Sequence, residues 1–167
     1  MPRQYGQACP VAKSLEVLGE RWTLLIVRDL LRGPARFQDL QTSLEGIAPN
    51  LLSGRLKAME EHGLVERRLY SERPPRAEYH LSDKGRELGV VVGALAQWGN
   101  RHLHHEHRLV NEECGHPVKL LYYCPTCDTP VRGGGVRMRK RKGAKRERVQ
   151  PRATSPANPR PQRSARG

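Results

Sequence analysis

Apolar residues recur at helical intervals through the first two thirds of the chain and then give way to polar and basic residues. Pro10 suits a first helical position, and Val11, Leu15 and Leu18 behind it form the inward stripe of a first predicted helix. A second helix is expected from Glu20 or Arg21 to about Leu31. Trp22, Leu25, Ile26 and Leu30 lie on one of its faces, and Leu24, Val27 and Leu31 widen that face until the helix is buried on most sides. Gly33-Pro34 stops it. Phe37, Leu40 and Leu44 give a short third helix one apolar face, and Glu45-Gly46-Ile47-Ala48 breaks it. From Asn50 to His62, behind Pro49, Leu52, Leu56 and Met59 repeat at i, i+4, i+7, and Gly63 ends the fourth helix.

The period then changes from 3.6 to 2. Val65, Arg67 and Leu69 alternate with Glu66, Arg68 and Tyr70, which predicts a strand over 65–70. Ser71 to Pro75 reads as a loop, and Arg76 to Leu81 returns as a second strand. Ser82 is a good N-cap and Asp83 complements the dipole of a long helix that reaches toward His105. Leu88, Val91, Val92, Leu95, Trp98 and Leu103 give it more apolar surface than one side of this domain needs. Gly93 and Gly99 weaken it locally and mark places for a kink.

Two helices joined by a turn and followed by a hairpin predict a mainly α fold with a small β-wing, a winged helix-turn-helix. At about 100° per residue, Asn50, Ser53, Gly54 and Lys57 project away from Leu52 and Leu56. Short polar donors, a residue without a side chain and one cation suit a helix laid in the major groove of double-stranded DNA. Arg55, with Arg73 and Arg76 at the hairpin tip, is the candidate phosphate-holding set. A solvated helix face is the plain alternative for such a row, and the hairpin behind it tips the reading toward DNA.

Composition changes this picture at the C-terminal end. The chain has 167 residues and a formal net charge of +13. The stretch 132–167 holds thirteen of the thirty Lys and Arg but only one of the seventeen Asp and Glu, so the remainder is close to neutral. Rich in Gly, Pro, Arg and Lys and poor in apolar residues, 132–167 is expected to be a disordered basic tail that adds salt-sensitive phosphate contacts. No apolar run approaches the roughly 18 residues of a membrane span, and the start lacks a signal-peptide core. A cytoplasmic, nucleoid-associated protein without membrane contact is the expectation.

The same residues resemble a known family, the HxlR-type winged helix-turn-helix transcriptional regulators. The matching residues begin with Cys9-Pro10-Val11, Gly19-Glu20-Arg21-Trp22-Thr23, Arg36-Phe37 with Leu40, and Gly46-Ile47-Ala48. They continue with Leu51-Leu52-Ser53, Arg55-Leu56, Gly63-Leu64-Val65, Pro74-Pro75-Arg76 with Glu78-Tyr79, Leu81-Ser82 and Lys84-Gly85. In order, they cover roughly Cys9 to Leu103. The resemblance implies a homodimeric DNA-binding regulator, more often a repressor, responsive to a small molecule or reactive electrophile. It also implies dimerisation through the long helix and the N-terminal one. Two reading helices about 34 Å apart would then meet an inverted-repeat operator. Some family members sense oxidants through a cysteine at the place of Cys9. The residues themselves leave Cys9 open between a thiolate favoured by a helix N-terminus and a small buried apolar side chain.

The remaining chemistry lies in 106–131. Cys114-Gly115-His116, a strand over Leu120 to Tyr123, and Cys124-Pro125-Thr126-Cys127 predict a cysteine-bearing β-hairpin between two ligand-bearing turns. Cys114, His116, Cys124 and Cys127 form a candidate structural zinc set, with His107 as the alternative imidazole. A Cys124–Cys127 redox pair and a metal-free hairpin compete with it. The clustered His102, His104, His105 and His107 have a plain explanation as cations at a helix C-terminus. The predicted organisation is therefore an arm (1–8), a DNA-binding and dimerisation domain (9–105), a zinc-ribbon-like hairpin (106–131) and the tail (132–167). No Gly-rich phosphate loop or nucleophile–base pair appears, so no enzyme is expected. The alternative function is a metal- or protein-binding adaptor, favoured only by Glu60-Glu61, which would repel phosphate at the end of the reading helix.

Overall fold

Pro10 opens α1 (Pro10–Leu18) from an extended Cys9. The structure, a computed structural model, describes residues 5–72, 75–131 and 133–139, in two units, Met1–Leu121 and Tyr122–Gly167. Ala12 is the buried residue of α1, and Val17 and Leu18 lie against the core. Val11 and Leu15 are 53% and 42% exposed, so of the expected inward stripe Leu18 faces the core and the other two do not. The small side chain of Ala12 faces the body, while the two bulkier residues stay outside.

α2 (Thr23–Leu30) begins later than its hydrophobicity suggests. The Thr23 amide donates to the Glu20 carbonyl at 3.1 Å, so Arg21 and Trp22 form a turn before the helix. Thr23, Ile26, Val27 and Leu30 are buried, whereas Leu25 and Leu31 are partly open to solvent, so α2 is buried on one side rather than most.

A two-residue strand follows, β1 (Ala35–Arg36), too short to carry any periodicity in the sequence. α3 (Phe37–Ser43) starts where the Asp39 carboxylate accepts the Arg36 amide at 3.0 Å. Gly46 takes the left-handed conformation (φ +86°) in the turn that leads to α4 (Pro49–Glu61). Leu52, Leu56 and Met59 are buried at 2% exposure or less, and Gly63 (φ +65°) closes the helix.

β2 (Val65–Glu72) and β3 (Pro75–Leu81) are longer than expected, with a bulge between Leu69 and Ser71. The sheet order is β1-β3-β2, antiparallel throughout, with Val65 opposite Leu81, Arg67 opposite Tyr79 and Ala35 opposite Tyr79. Residues 73–74 at the tip, and with them Arg73, lie outside the described residues. One core joins these elements. It is built on Ile26, Val27, Leu30, Leu40, Leu44, Leu52, Leu56 and Met59, and closed by Leu64, just before β2, and by Val65 and Leu81 from the strands.

The expected long helix is two helices, α5 (Asp83–Arg86) and α6 (Gly89–His102). The Ser82 hydroxyl accepts the Gly85 amide at 3.1 Å and donates to the Gly63 carbonyl at 2.7 Å, pinning the first turn to the end of α4. Gly85 is buried so close to the strand that a Cβ there would stand 2.1 Å from the Leu64 carbonyl oxygen. Held this way, the chain tightens: the Leu88 amide bonds three residues back to Gly85, and a new helix starts at Gly89. The break therefore falls at Glu87–Leu88 rather than at Gly93 or Gly99.

Beyond α6, Val110 pairs with Pro117, and the Val118 and Asn111 amides donate to the carbonyls of Leu109 and His116. The Gln97 side chain clasps Leu120 through two hydrogen bonds (3.1 and 2.8 Å). In the second unit β4 (Tyr122–Cys124) pairs antiparallel with β5 (Thr129–Val131), two residues later than the strand expected at 120–123. A 3-10 turn over Gly133–Gly135 occupies the start of the expected disordered tail, and 140–167 lies outside the described residues.

Candidate nucleic-acid interface

The inward stripe of α4 fixes what its other face presents. Asn50, Ser53, Gly54 and Lys57 are all exposed and fall within an arc of about 100° around the helix. The Asn50 carboxamide oxygen accepts the Leu51 amide at 2.9 Å, tying that side chain to the first turn. A Cβ on Gly54 would meet nothing within 4 Å, so packing within the chain does not require glycine there. The gap instead keeps the middle of the row low, with donors on either side. Exposed Glu61 continues the arc at its C-terminal end and brings the opposite sign.

Arg55, expected to hold phosphate, lies outside this row. It sits about 140° around the helix from Asn50, beside Met59. There it is half-buried and lines a cavity of about 150 Å³ with Glu16, Val17, Glu20 and Thr23. Its guanidinium lies 3.6 Å from the Glu20 carboxylate, and its Nε is shut from solvent without a hydrogen-bond partner. The residue braces α4 against the N-terminal helices. A helical wheel separates it from the exposed row.

The wing contributes Arg76, which is exposed at the start of β3. It borders a cleft of about 440 Å³ with Arg36, Phe37, Gln38, Tyr70 and Ala77. The Arg36 guanidinium stacks over the Tyr70 ring at 4.8 Å, a cation–π contact that holds it at the wing's root. Sequence reasoning did not assign Arg36 or Gln38 a role. The pairing of β1 with β3 brings them there, and two residues give no pattern to read.

Cys9 is half-buried at the N-cap of α1, with its carbonyl accepting the Lys13 amide at 3.0 Å. In the first unit, Cys114 and His116 are exposed and flank Gly115 (φ +70°) at the tip of the 109–118 turn. In the second unit, Cys124 is half-buried and Cys127 exposed, both as free thiols. The Cys127 amide, then the Cys127 thiol and the Thr126 amide, hold the Cys124 thiol below its usual range. The His104 and His107 rings lie 5.2 Å apart, and the His105 ring meets the Asn100 carbonyl at 2.6 Å. Among the described residues no group of three or more His, Cys, Asp or Glu is gathered as a metal site. Nor is any of their helices long and apolar enough to cross a membrane.

Comparison with known proteins gives the same outline. The HxlR-like helix-turn-helix family model matches residues 17–107. An uncharacterized HTH-type transcriptional regulator of Mycobacterium tuberculosis is 37% identical over 130 residues, spanning 75% of this chain and 82% of that protein. Among solved structures, the candidate transcription factor PA1607 is 35% identical with a TM-score of 0.71, covering 81% of this chain and 97% of that one. The redox regulator HypR in its oxidized form is 31% identical with a TM-score of 0.54, covering 56% and 97%. The winged fold and these matches agree: the chain belongs to the HxlR-like helix-turn-helix family of transcriptional regulators and is not an enzyme.

Proposed function

We propose that the protein is a homodimeric repressor that reads an inverted-repeat operator by laying α4 in the major groove of double-stranded DNA. The observation that carries this reading is the exposed row Asn50, Ser53, Gly54 and Lys57, opposite a fully buried stripe on the same helix. Arg76 holds phosphate from the wing, with Arg36 beside it. Arg73, outside the described residues, keeps the same role from its place at the tip.

The dimer is supported by α6. Its start packs on the core through Leu88 and Val92. Beyond that, Leu95, Trp98 and Leu103 are 51%, 56% and 72% exposed, and α6 has no buried residue of its own. Covering such a side chain completely contributes roughly 1.5–3 kcal/mol. With Val11 and Leu15 open on α1, a second copy of this chain is the occupant that the apolar surface fits.

Thiol responsiveness rests on Cys9, half-buried at a helix N-terminus, and on the likeness to HypR, which is named a redox regulator. Repression is the family expectation, exerted by a bound dimer blocking the DNA that it covers. An electrophoretic shift with DNA from upstream of the protein's own gene tests the reading. A complex that survives excess random DNA is expected. Complete loss to random competitor, or no complex at all, would point instead to an adaptor that docks a protein.

A further inference from the structure

The cavity behind α4 lies where that helix crosses the corner between α1 and α2. Arg55, Ala58, Met59 and His62, at i, i+3, i+4 and i+7, form its wall on α4. Glu16 and Val17 of α1, Glu20 and Thr23 line the other side, all within one unit. Thr23 and Met59 are buried at its floor, while Glu20 and His62 are exposed at its mouth. Its volume of about 150 Å³ is the space that a benzene-sized molecule fills, more than a single water needs.

The charges around this space are matched, and one donor is not. The Tyr5 amide and the Lys13 ammonium donate to the Glu16 carboxylate at 3.2 and 2.9 Å. The Glu20 carboxylate stands 3.6 Å from a terminal nitrogen of the Arg55 guanidinium. That is near enough for attraction but beyond the roughly 3.2 Å reach of a good hydrogen bond. The Arg55 Nε–H, shut from solvent, has no acceptor among the described residues. Such donors are rare, because closing one off from water without a partner is unfavourable.

We propose that this cavity binds a small neutral molecule whose carbonyl oxygen accepts the Arg55 Nε–H, and that its occupancy weakens operator binding. An anion would meet the carboxylates of Glu16 and Glu20, and an ammonium would bring no acceptor for Nε. Val17, Ala58 and Met59 offer the apolar sides that a compact carbon skeleton needs. The volume limits that skeleton to about six to nine non-hydrogen atoms. Arg55 and Met59 lie on the inner side of the helix whose outer side carries Ser53 and Lys57. A molecule wedged behind α4 therefore displaces the exposed row with it. The effect on DNA rests on base reading by α4, whereas the binding does not.

The test titrates the full chain, labelled with nitrogen-15, with cyclohexanone, cyclohexanecarboxylate and protonated cyclohexylamine. Cyclohexanone should shift the Arg55 Nε–H resonance saturably, and the other two should bind at least about tenfold more weakly. Arg55→Lys keeps the charge facing Glu20 but removes Nε, and should weaken cyclohexanone binding about tenfold. Ala58→Leu fills the space without touching donor or charge and should abolish binding, with a melting curve to show that it folds. An Arg55 resonance unmoved at the solubility limit of cyclohexanone would mean that the cavity takes water alone, and would overturn the proposal. So would equal binding of all three probes, or undiminished cyclohexanone binding by Ala58→Leu. Saturating cyclohexanone should also lower operator affinity by roughly fivefold or more in the wild-type protein, but not in Ala58→Leu. Unchanged affinity at saturation would overturn the coupling to α4. The titration needs no DNA, so it separates a failure of the site from a failure of DNA reading.

Discussion

Gly85 does more for the architecture than its place inside an expected helix suggests. With a Cβ 2.1 Å from the Leu64 carbonyl, any side chain there must push α5 off the strand. Overpacking of this kind costs about 1–3 kcal/mol. Gly85→Ala should therefore lower the denaturant midpoint by that equivalent, and an unchanged midpoint would show that α5 yields freely. Arg55 teaches the complementary lesson. Its charge suggested phosphate, yet its angular position beside Met59 places it against Glu20.

At the scale of elements, the sequence carried what long periodic runs can carry. α4 and its buried stripe, the glycine stop at Gly63, the two wing strands and the Ser82 cap all stand where the pattern put them, within a residue or two. The losses have local causes. β1 is two residues long, and tertiary pairing with β3, not propensity, makes it a strand. The break at Glu87–Leu88 comes from the packing of Gly85 on Leu64, a contact between residues 21 apart. On α1 the phase was misread because apolar side chains were assumed to face inward, and Val11 and Leu15 do not.

That same outward face gives α6 and α1 their proposed purpose. Leu95→Asp should convert the two-chain species to a single chain in sedimentation while leaving the helical content unchanged, because Leu95 takes no part in the core. A variant that still sediments as two chains would place the dimer contact elsewhere. Its DNA affinity should fall with it, since each half-site alone retains about half the phosphate and base contacts.

For the whole molecule, charge and recognition are divided along the chain. The body is close to neutral, so α4 and the wing have little long-range attraction to DNA of their own, while 132–167 holds thirteen basic residues and a single acid. Removing 132–167 should flatten the dependence of log K on log salt by roughly 0.9 for each phosphate that the tail neutralises. Equal slopes with and without it would show that the tail does not touch DNA. Sequence preference should survive the truncation, because the proposal assigns it to the exposed row on α4. The most direct test compares Lys57→Ala and Ser53→Ala with the wild-type protein on a selected operator and on random DNA of equal length. Each substitution should weaken operator binding by about 1–3 kcal/mol and random binding by much less. An equal loss on both would contradict the assignment of this row to base reading.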